Sequence, residues 1–384
     1  MKKIDPTVDE AIQTLNMKDG PTRRRLLSSA GLVSASAAAA GLLAACSSST
    51  PSGAAAKNVA GNFPKTPAWQ FWYVNHVTTN PFFVPTQYGF QDAAALLGLP
   101  TPKWGGSQNS LASEMVSYFN TAIAAKAAGI FYAGIDATSF TTPVKNAMNA
   151  GIPVLSYNAD GLVKKGVPDI GTNRLAYVGQ ALYISGQQLG NKIKSLIPSG
   201  GEIAIFIATP GSGNIQPRYD GAVSVLGSSF TVHEVATGAA TGQELSAEKS
   251  FLSGHKSLKG AFAVDAGSTE LLGQALSTSG MTIPNGGFDT TPTTLSNITA
   301  GKTDFTIYQD PYLQGFLPTL YTYLFNISGG TISPSDTDTG LTFITKSNAA
   351  PYSKSSRFQG STAAQKYISR PSGAISNPTA TTST

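Results

Sequence analysis

The stretch GIFYAGIDATSFTTPVKNAMNAGIPVLSYNAD, residues 129–160, decides the fold. An apolar run at 129–133 is followed by a helical pattern at 141–150 and by a second apolar run at 152–157. Parallel strands need a crossover of about a dozen or more residues between them, and a helix usually supplies it. The stretch therefore predicts two strands of a parallel sheet with a helix between them.

The same alternation continues on both sides of this stretch. Before it, the pattern predicts a strand at 69–74 and helices at 83–97 and 111–128. A second series begins after about residue 177, with helices at 181–196, 219–226, 247–253, 271–278 and 295–299 and strands at 202–208, 231–235, 261–264, 288–289 and 305–308. We therefore expect an α/β fold of two Rossmann-like lobes, each a parallel sheet flanked by helices.

The composition allows two lobes and argues against a nucleic-acid partner. The 384 residues include 26 Lys and Arg and 21 Asp and Glu, so the net charge is +5 and only 12% of the residues are charged. Residues 1–45 hold six of the basic and four of the acidic residues, which leaves a net charge of +3 for the rest. Because no basic patch remains, we do not expect nucleic-acid binding.

The single cysteine, Cys46, ends a pattern typical of an export signal. Three arginines at 23–25 precede an apolar stretch rich in Ala, Ser and Leu, and small residues stand directly before the cysteine. This end resembles the bacterial lipoprotein box, whose cysteine is lipidated, and the arginines resemble a twin-arginine export motif. A membrane span at 26–45 and a buried structural cysteine are the alternatives. The weakly apolar span and the Ser-rich segment after Cys46 argue against them.

Polar and aromatic side chains stand together after the first predicted strand. His76 and Asn80 bring an imidazole and an amide, and Phe82 and Phe83 bring two rings at the start of a helix. A sugar has hydroxyls that need directional partners and apolar C–H faces that pack on aromatic rings. The pattern is therefore typical of a sugar site. The alternative is that both rings are core residues and that Asn80 caps the helix before Pro81.

Carboxylates and amides recur at the ends of other predicted strands. They are Asp136, Asn158, Asp160, Asp265, Asp289, Gln309 and Asp310. Any one of them could be a helix cap or a turn residue. Since ligands of doubly wound sheets bind beyond the carboxyl ends of the strands, the set as a whole predicts a shared cleft.

These segments resemble the periplasmic sugar-binding proteins of the ribose-binding type, which are substrate-binding subunits of ABC importers with the LacI-like, type I periplasmic binding protein fold. The resemblance covers about residues 68–345 and is carried by Asn80-Pro81-Phe82-Phe83, Ser107-Gln108-Asn109 and the segments 151–154, 262–267, 287–289 and 309–315. It implies two lobes on a three-segment hinge that close over a monosaccharide or polyol. It also implies delivery to a membrane permease, with no cofactor and no metal.

The resemblance also implies roles for individual residues. Ring stacking is implied for Phe82 and Phe83, hydroxyl contacts for Asn80, Asp265, Asp289 and Gln309, and further contacts for His76, Asp136, Asn158, Asp160 and Gln216. The chain departs from the family at three places. Asn158-Ala159-Asp160 replaces an Asp-Arg pair, and the segment 237–241 has no aromatic residue. Gln216 stands where an arginine often contacts sugar, and Arg218 fits the neighbouring, more structural position, so ribose itself is not implied.

The domain organisation follows from these interpretations. We expect an export signal at 1–45, a flexible tether at 46–66, a first lobe of 67–176 plus 310–330, a second lobe of 177–309 plus 331–346, and a disordered tail at 347–384. The hinge crossovers are expected near 175–179, 309–312 and 329–333. The predicted protein is a monomer, held by its lipid to the outer face of the cell membrane or in the periplasm.

Other function classes find less support in the sequence. No Gly-x-Ser-x-Gly nucleophile elbow is present, and the three histidines lack the spacing of metal ligands. A Gly-rich turn at 211–213 lacks the third glycine and the Lys-Ser pair of phosphate-binding loops. The prediction is a binding protein and not an enzyme. A tethered sensor that passes its ligand to a membrane receptor is one alternative, and a glycosidase with two aspartates is a lesser one.

Overall fold

The computed structural model describes residues 66–353 with the exception of 137, 165, 166, 170 and 171. The strands are β1 Phe71–Asn75, β2 Lys103–Gly106, β3 Gly129–Gly134, β4 Val154–Asp160, β5 Leu162–Lys164, β6 Val167–Asp169, β7 Ala176–Gly179, β8 Gly201–Ile207, β9 Phe230–Ala236, β10 Gly260–Ala263, β11 Asn285–Phe288, β12 Phe305–Tyr308, β13 Thr337–Asp338 and β14 Thr342–Thr345. The helices are α1 Val84–Leu97, α2 Ala112–Ala124, α3 Thr141–Asn149, α4 Leu182–Leu196, α5 Gln216–Leu226, α6 Thr241–Gly254, α7 Ala266–Thr278, α8 Pro292–Ala300 and α9 Pro311–Ile327.

Two six-stranded sheets organise these elements into two lobes. The first sheet has the order β13-β7-β4-β3-β1-β2, and its strands all run parallel. The second has the order β14-β12-β11-β10-β8-β9, with only β14 antiparallel to its neighbour. The predicted α/β fold of two lobes is therefore confirmed. Strands β5 and β6 form a separate hairpin.

The strands read as continuous apolar runs because helices cover both faces of each sheet. All six residues of β3 are buried, and so are the last five of β8. Aromatic side chains fill the core of the first lobe, where the ring of Tyr73 lies 4.7 Å from that of Phe90 and 4.6 Å from that of Phe131. In the second lobe, three apolar clusters pack against the sheet.

Glycines allow a close helix crossing in the first lobe. Helix α9 lies against α1, and a Cβ on Gly315 would lie 2.0 Å from the backbone oxygen of Thr86. A Cβ on Gly89 of α1 would likewise lie 2.1 Å from the backbone oxygen of Tyr312. Any larger residue at these positions would force the two backbones apart.

Helix α9 is the longest element that the sequence patterns did not indicate. It contains Gly315 and Pro318 in its interior, and both residues normally argue against a helix. Its start is nevertheless well defined, since the Asp310 side chain accepts a hydrogen bond of 3.2 Å from the N–H of Leu313 and a proline occupies the first helical position.

The chain passes between the lobes three times. It leaves the first sheet after β7, returns to the first lobe between β12 and α9, and leaves it again between β13 and β14. The third crossover therefore lies at 339–341 and not at the expected 329–333, because two residues of β13 still pair with β7. Such a short strand gives no periodic signal in a sequence. Strand β7 is also short, with four residues, and it gave no periodic signal either. It extends the first lobe to residue 179, beyond the expected end at 176.

Part of the expected tail packs on the second lobe. Ala349 is buried, and the ring of Tyr352 lies 5.2 Å from that of Tyr308. Residues 347–353 are thus ordered, which corrects the expected boundary. The export signal, Cys46, the tether up to residue 65 and the tail from 354 lie outside the described residues. Within the part of the chain that the structure describes, no helix combines the length and the hydropathy needed to cross a bilayer.

The close crossing of α1 and α9 predicts the effect of a single methyl group. Gly315→Ala should lower the free energy of unfolding by about 1–3 kcal/mol, because the added carbon overlaps a backbone oxygen. Gly242→Ala is the matched control, since nothing lies within 4 Å of a Cβ at this position in α6. The control should be neutral or gain up to about 1 kcal/mol. Thermal unfolding of both variants measures the difference, and equal behaviour would contradict the predicted overlap.

Candidate functional site

A cavity of about 540 Å³ lies between the lobes, where the carboxyl ends of strands from both sheets meet. Eight of the eleven ligand contacts predicted from the sequence line it: His76, Asn80, Phe82, Phe83, Asn158, Asp265, Asp289 and Gln309. The shared cleft expected from the strand ends is therefore present in the fold. The three others lie elsewhere.

The two phenylalanines differ in their surroundings. Asn80 caps the turn at Pro81–Phe83, and its side-chain oxygen accepts a hydrogen bond of 2.9 Å from the N–H of Phe82. Phe83 is buried in the core of the first lobe, whereas Phe82 is only partly buried and stands edge-on to it at 4.7 Å. Phe82 is thus the ring that can stack on a ligand, and the core interpretation fits Phe83.

Backbone geometry turns two polar side chains toward the cavity. Asn158 and Asp289 both have left-handed backbones, with φ of 62° and 75°. Asn and Asp tolerate this conformation better than most residues. Asn158 lies where the register between β3 and β4 shifts, and such bulges commonly re-aim a side chain.

The carboxyl group of Asp289 is held in place by Gln309 and Arg218. One oxygen accepts a hydrogen bond of 2.6 Å from Nε2 of Gln309, and the other lies 4.0 Å from Nη1 of Arg218. Burial raises the pKa of Asp289 to about 6, although Arg218 and Gln309 act in the opposite direction. At neutral pH the group is therefore an ionised acceptor beside the cavity.

The carboxyl group of Asp265 accepts hydrogen bonds mainly from other groups of the protein. It is the N-cap of α7, where it accepts a hydrogen bond of 2.9 Å from the N–H of Ser268. Its second oxygen accepts from the N–H of Ala208 at 2.8 Å and from the Ser268 hydroxyl at 3.1 Å. Asp265 lines the cavity, but these partners leave it less accepting capacity than Asp289 has.

Arg218 is a cavity residue that the sequence analysis assigned to a structural position. Its guanidinium group donates to the backbone oxygen of Val264 at 3.1 Å and to the side chain of Gln180 at 3.2 Å, and it stacks over the ring of Phe288 at 4.2 Å. Burial lowers the pKa of Arg218, while Asp289 opposes that shift. Its Nε atom is buried and has no partner among the described residues.

Gln216 does not reach the cavity. Its side chain donates to Asp220 at 2.9 Å and accepts from the N–H of Gly211 at 2.6 Å. Residues two apart on a helix do not share a face. The two-residue offset between Gln216 and Arg218 therefore decides which of them points inward, and helical periodicity at the start of α5 was the signal available for it.

Asp136 and Asp160 also lie outside the cavity lining. Asp136 accepts from the N–H groups of Thr138 and Ser139 at 2.8 and 2.6 Å, as a turn-capping aspartate does. Asp160 forms an ion pair with Arg174 and accepts from the hydroxyl of Ser156. Both predicted contacts are replaced by structural roles, because each side chain is occupied by nearby donors.

His76 links the two lobes across the cavity. Its Nε2 lies 3.2 Å from Nδ2 of Asn214 in the second lobe. Burial lowers the pKa of His76 to about 4, so the ring is neutral and Nε2 accepts from the amide. The proton then sits on Nδ1, which is buried and has no partner among the described residues.

The second lobe brings two glutamates to this region that the sequence analysis did not consider. Glu244 lines the cavity, and Glu248 lies one turn further along α6 with both carboxyl oxygens buried and without a partner among the described residues. Burial, with nearby Asp265, raises the pKa of Glu244 to about 8 and that of Glu248 to about 10. No strand-end rule could have found them, because they project from the first two turns of a helix.

Comparisons with known proteins agree with this arrangement. Residues 71–323 match the family described as a periplasmic binding protein domain. The chain is 45% identical over 346 residues to the xylose/arabinose-binding protein XylF of Sulfolobus acidocaldarius, with 85% of each chain covered.

Solved structures share the fold. An ABC transporter solute-binding protein from Burkholderia graminis in complex with D-arabinose has a TM-score of 0.68 and 24% identity, with 76% of this chain and 100% of that chain covered. The glucose-galactose binding protein GanP from Geobacillus stearothermophilus has a TM-score of 0.65 and 20% identity, with 73% and 99% covered. The fold implied by the sequence resemblance is therefore confirmed.

Glu248 predicts a pH dependence of stability. The folded chain keeps this carboxyl protonated up to about pH 10, whereas the unfolded chain loses the proton above its ordinary pKa of 4.5, so the free energy of unfolding should fall as pH rises between these values. Glu248→Met removes both the titration and the unpartnered oxygens. Its melting temperature should exceed that of the wild type, and by more at about pH 8 than at about pH 5. A difference that is the same at both pH values would contradict this assignment.

Proposed function

This chain belongs to the periplasmic binding protein domain family. From that premise we propose that it captures a monosaccharide between its two lobes and that this monosaccharide is a pentose. The prediction of a binding protein rather than an enzyme is confirmed by the same family assignment. The observation that carries the proposal is a pair of buried donors, His76 Nδ1 and Arg218 Nε, that have no partner among the described residues and belong to side chains lining the cavity.

Such donors are costly unless a ligand satisfies them. A buried polar group without a partner costs about 1–3 kcal/mol. A sugar hydroxyl or ring oxygen can accept from these shielded nitrogens once the surrounding side chains shift to admit it, and Asp289, which lines the cavity, can accept from a hydroxyl on the same ring. The site thus presents donors and acceptors together, as a polyol requires.

Phe82 supplies the apolar part of the recognition. It lines the cavity and is only partly buried, so part of its ring is available to the C–H groups of a sugar. The absence of an aromatic residue at 237–241 means that the second lobe contributes polar groups and no facing ring in that segment. A ligand held this way has one face on Phe82 and its hydroxyls toward the second lobe.

Closure of the lobes assembles the complete site. His76, Asn80 and Phe82 belong to the first lobe, and Arg218 and Asp289 belong to the second. A ligand that contacts both sets favours the conformation in which the sets face each other. The direct contacts His76 to Asn214 and Gly213 N–H to the Ile135 oxygen, at 3.2 and 2.9 Å, are further interactions available to that conformation.

The choice of a pentose is supported by the relative in Sulfolobus acidocaldarius, whose name gives xylose and arabinose as its ligands. At 45% identity the two chains can share a ligand class. We further propose that the protein is exported, attached by lipid at Cys46, and that it delivers the sugar to an ABC permease. The signal pattern before Cys46 and the family support this part.

Asp289→Ala tests the ligand site. The variant should bind D-xylose or L-arabinose about tenfold to a hundredfold more weakly, because a hydrogen bond to a charged group contributes about 1.5–3 kcal/mol. Asp136→Ala is the control, since it removes an aspartate at a strand end outside the cavity. Isothermal titration calorimetry measures both affinities, and unchanged affinity in Asp289→Ala with bound sugar in the wild type would refute the site.

Cys46→Ser tests the anchor. In cells that produce the full chain, the wild type should be found in the membrane fraction and should incorporate a radiolabelled fatty acid. The serine variant should be unlabelled and released into the soluble exported fraction, because the lipid has no thiol to join. Labelling of the variant, or equal membrane association of both proteins, would exclude lipid attachment at this residue.

A further inference from the structure

Glu244 is a buried carboxyl group that faces the ligand cavity and has no partner among the described residues. Its side chain is 4% exposed and lines the cavity. None of the hydrogen bonds or ion pairs among the described residues involves its carboxyl group, and the pKa of Glu244 is raised by burial and by the charges of Asp265 and Glu270 alone. A group in this position loses its hydration without receiving a replacement.

Gly267 leaves room for the carboxyl group of Glu244. A Cβ on Gly267, in the first turn of α7, would lie 2.2 Å from one carboxyl oxygen of Glu244 and 2.5 Å from the other. Only glycine leaves that space free. Ala239 and Ala240, which precede α6, line the same cavity. The carboxyl group is therefore held against α7 and open to the cavity.

Two acidic neighbours act on Glu244, namely Asp265 at the cap of α7 and Glu270 on α7. Burial first, and then these two charges, raise the pKa of Glu244 to about 8, so at neutral pH the group is mostly protonated. A protonated carboxyl both donates and accepts, which is the capacity that a sugar hydroxyl complements. Among the described residues no cluster of acidic or histidine side chains is arranged to hold a metal ion.

We propose that Glu244 binds a ring hydroxyl of the sugar and discriminates between sugars by the presence and orientation of that hydroxyl. This inference rests on the proposed function, since it assigns one wall of the same cavity. Glu244 reaches the ligand from α6, an element outside the strand ends that supply Asp289, Asn158 and Gln309. The ligand is then contacted by a residue of a helix as well as by residues at the strand ends.

A purely structural role for Glu244 predicts a different outcome from a hydroxyl contact. A structural residue changes the affinity for every ligand by the same factor. A residue that contacts one hydroxyl changes the affinity only for ligands that carry it, because a ligand without the hydroxyl has nothing to lose. Deoxy sugars therefore separate the two roles.

The experiment uses isothermal titration of the full chain with D-xylose and L-arabinose and with their monodeoxy analogues. Glu244→Ala should weaken binding of the parent sugar by at least about tenfold and binding of one deoxy analogue by less than about twofold. Glu244→Gln should stay within about threefold of the wild type near neutral pH, because an amide also donates and accepts. Glu234→Ala, an exposed glutamate on β9, is the control and should change nothing.

Two results would overturn the inference while leaving the proposed function intact. One is a Glu244→Ala variant that binds the parent sugar as well as the wild type does, and the other is an equal loss for the parent and for every deoxy analogue. A wild type that binds none of the sugars would instead refute the proposed function, and this assignment with it. Melting temperatures of all variants verify that each is folded.

Discussion

A buried set of side-chain hydrogen bonds at the hinge connects Asn158 of the first lobe with Asp289 of the second. Gln314, in the first turn of α9, donates through Nε2 to the backbone and side-chain oxygens of Gln309, both at 3.1 Å, and accepts from Asn158 at 3.0 Å. Thr339, on the third crossover, donates to the same backbone oxygen of Gln309 at 2.7 Å. Because buried amides are costly when unpaired, these bonds fix the relative position of the crossovers. Gln309 in turn holds Asp289 at 2.6 Å, so the hinge and the ligand site share one network.

The cavity has the opposite character, since its buried groups are incompletely satisfied. His76, Arg218 and Glu244 each carry hydrogen-bonding capacity that no described residue uses. Unused capacity of this kind lowers the stability of the empty protein and is recovered when a ligand supplies the missing partners. The polar groups of the hinge are paired within the protein, whereas those of the cavity keep unused capacity for a ligand. This division follows from the packing of each group and not from its residue type, since amides and carboxyl groups occur in both places.

Much of the fold could be predicted because its signals are local. The runs at 129–133 and 152–157 and the helix at 141–150 were identifiable from period and composition, and they appear as β3, β4 and α3. Helix α9 was missed because Gly315 and Pro318 oppose helix formation locally, while packing against α1 outweighs that preference. Strands β7 and β13 were missed because two to four residues give no periodicity, and their pairing across more than 150 residues is a tertiary event. Of the polar residues expected at strand ends, Asn158, Asp289 and Gln309 line the cavity, whereas Asp136 satisfies its own turn and Asp160 an ion pair, and both lie outside the lining.

The sequence by itself determined the parallel α/β architecture, the number of lobes and the class of residue at the strand ends, because each of these depends on contacts close along the chain. It also presented Cys46 in a pattern typical of a lipidated, exported protein. Only the tertiary structure decided which polar groups face the cavity. Arg218 lines the cavity, whereas Gln216 lies outside it. Phe83 is buried in the core, whereas Phe82 is only partly buried. Glu244 packs against Gly267 and has no partner among the described residues. The physical reason is that the pairing of a buried polar group depends on neighbours brought together by the fold from distant parts of the chain, and one sequence carries no local record of them.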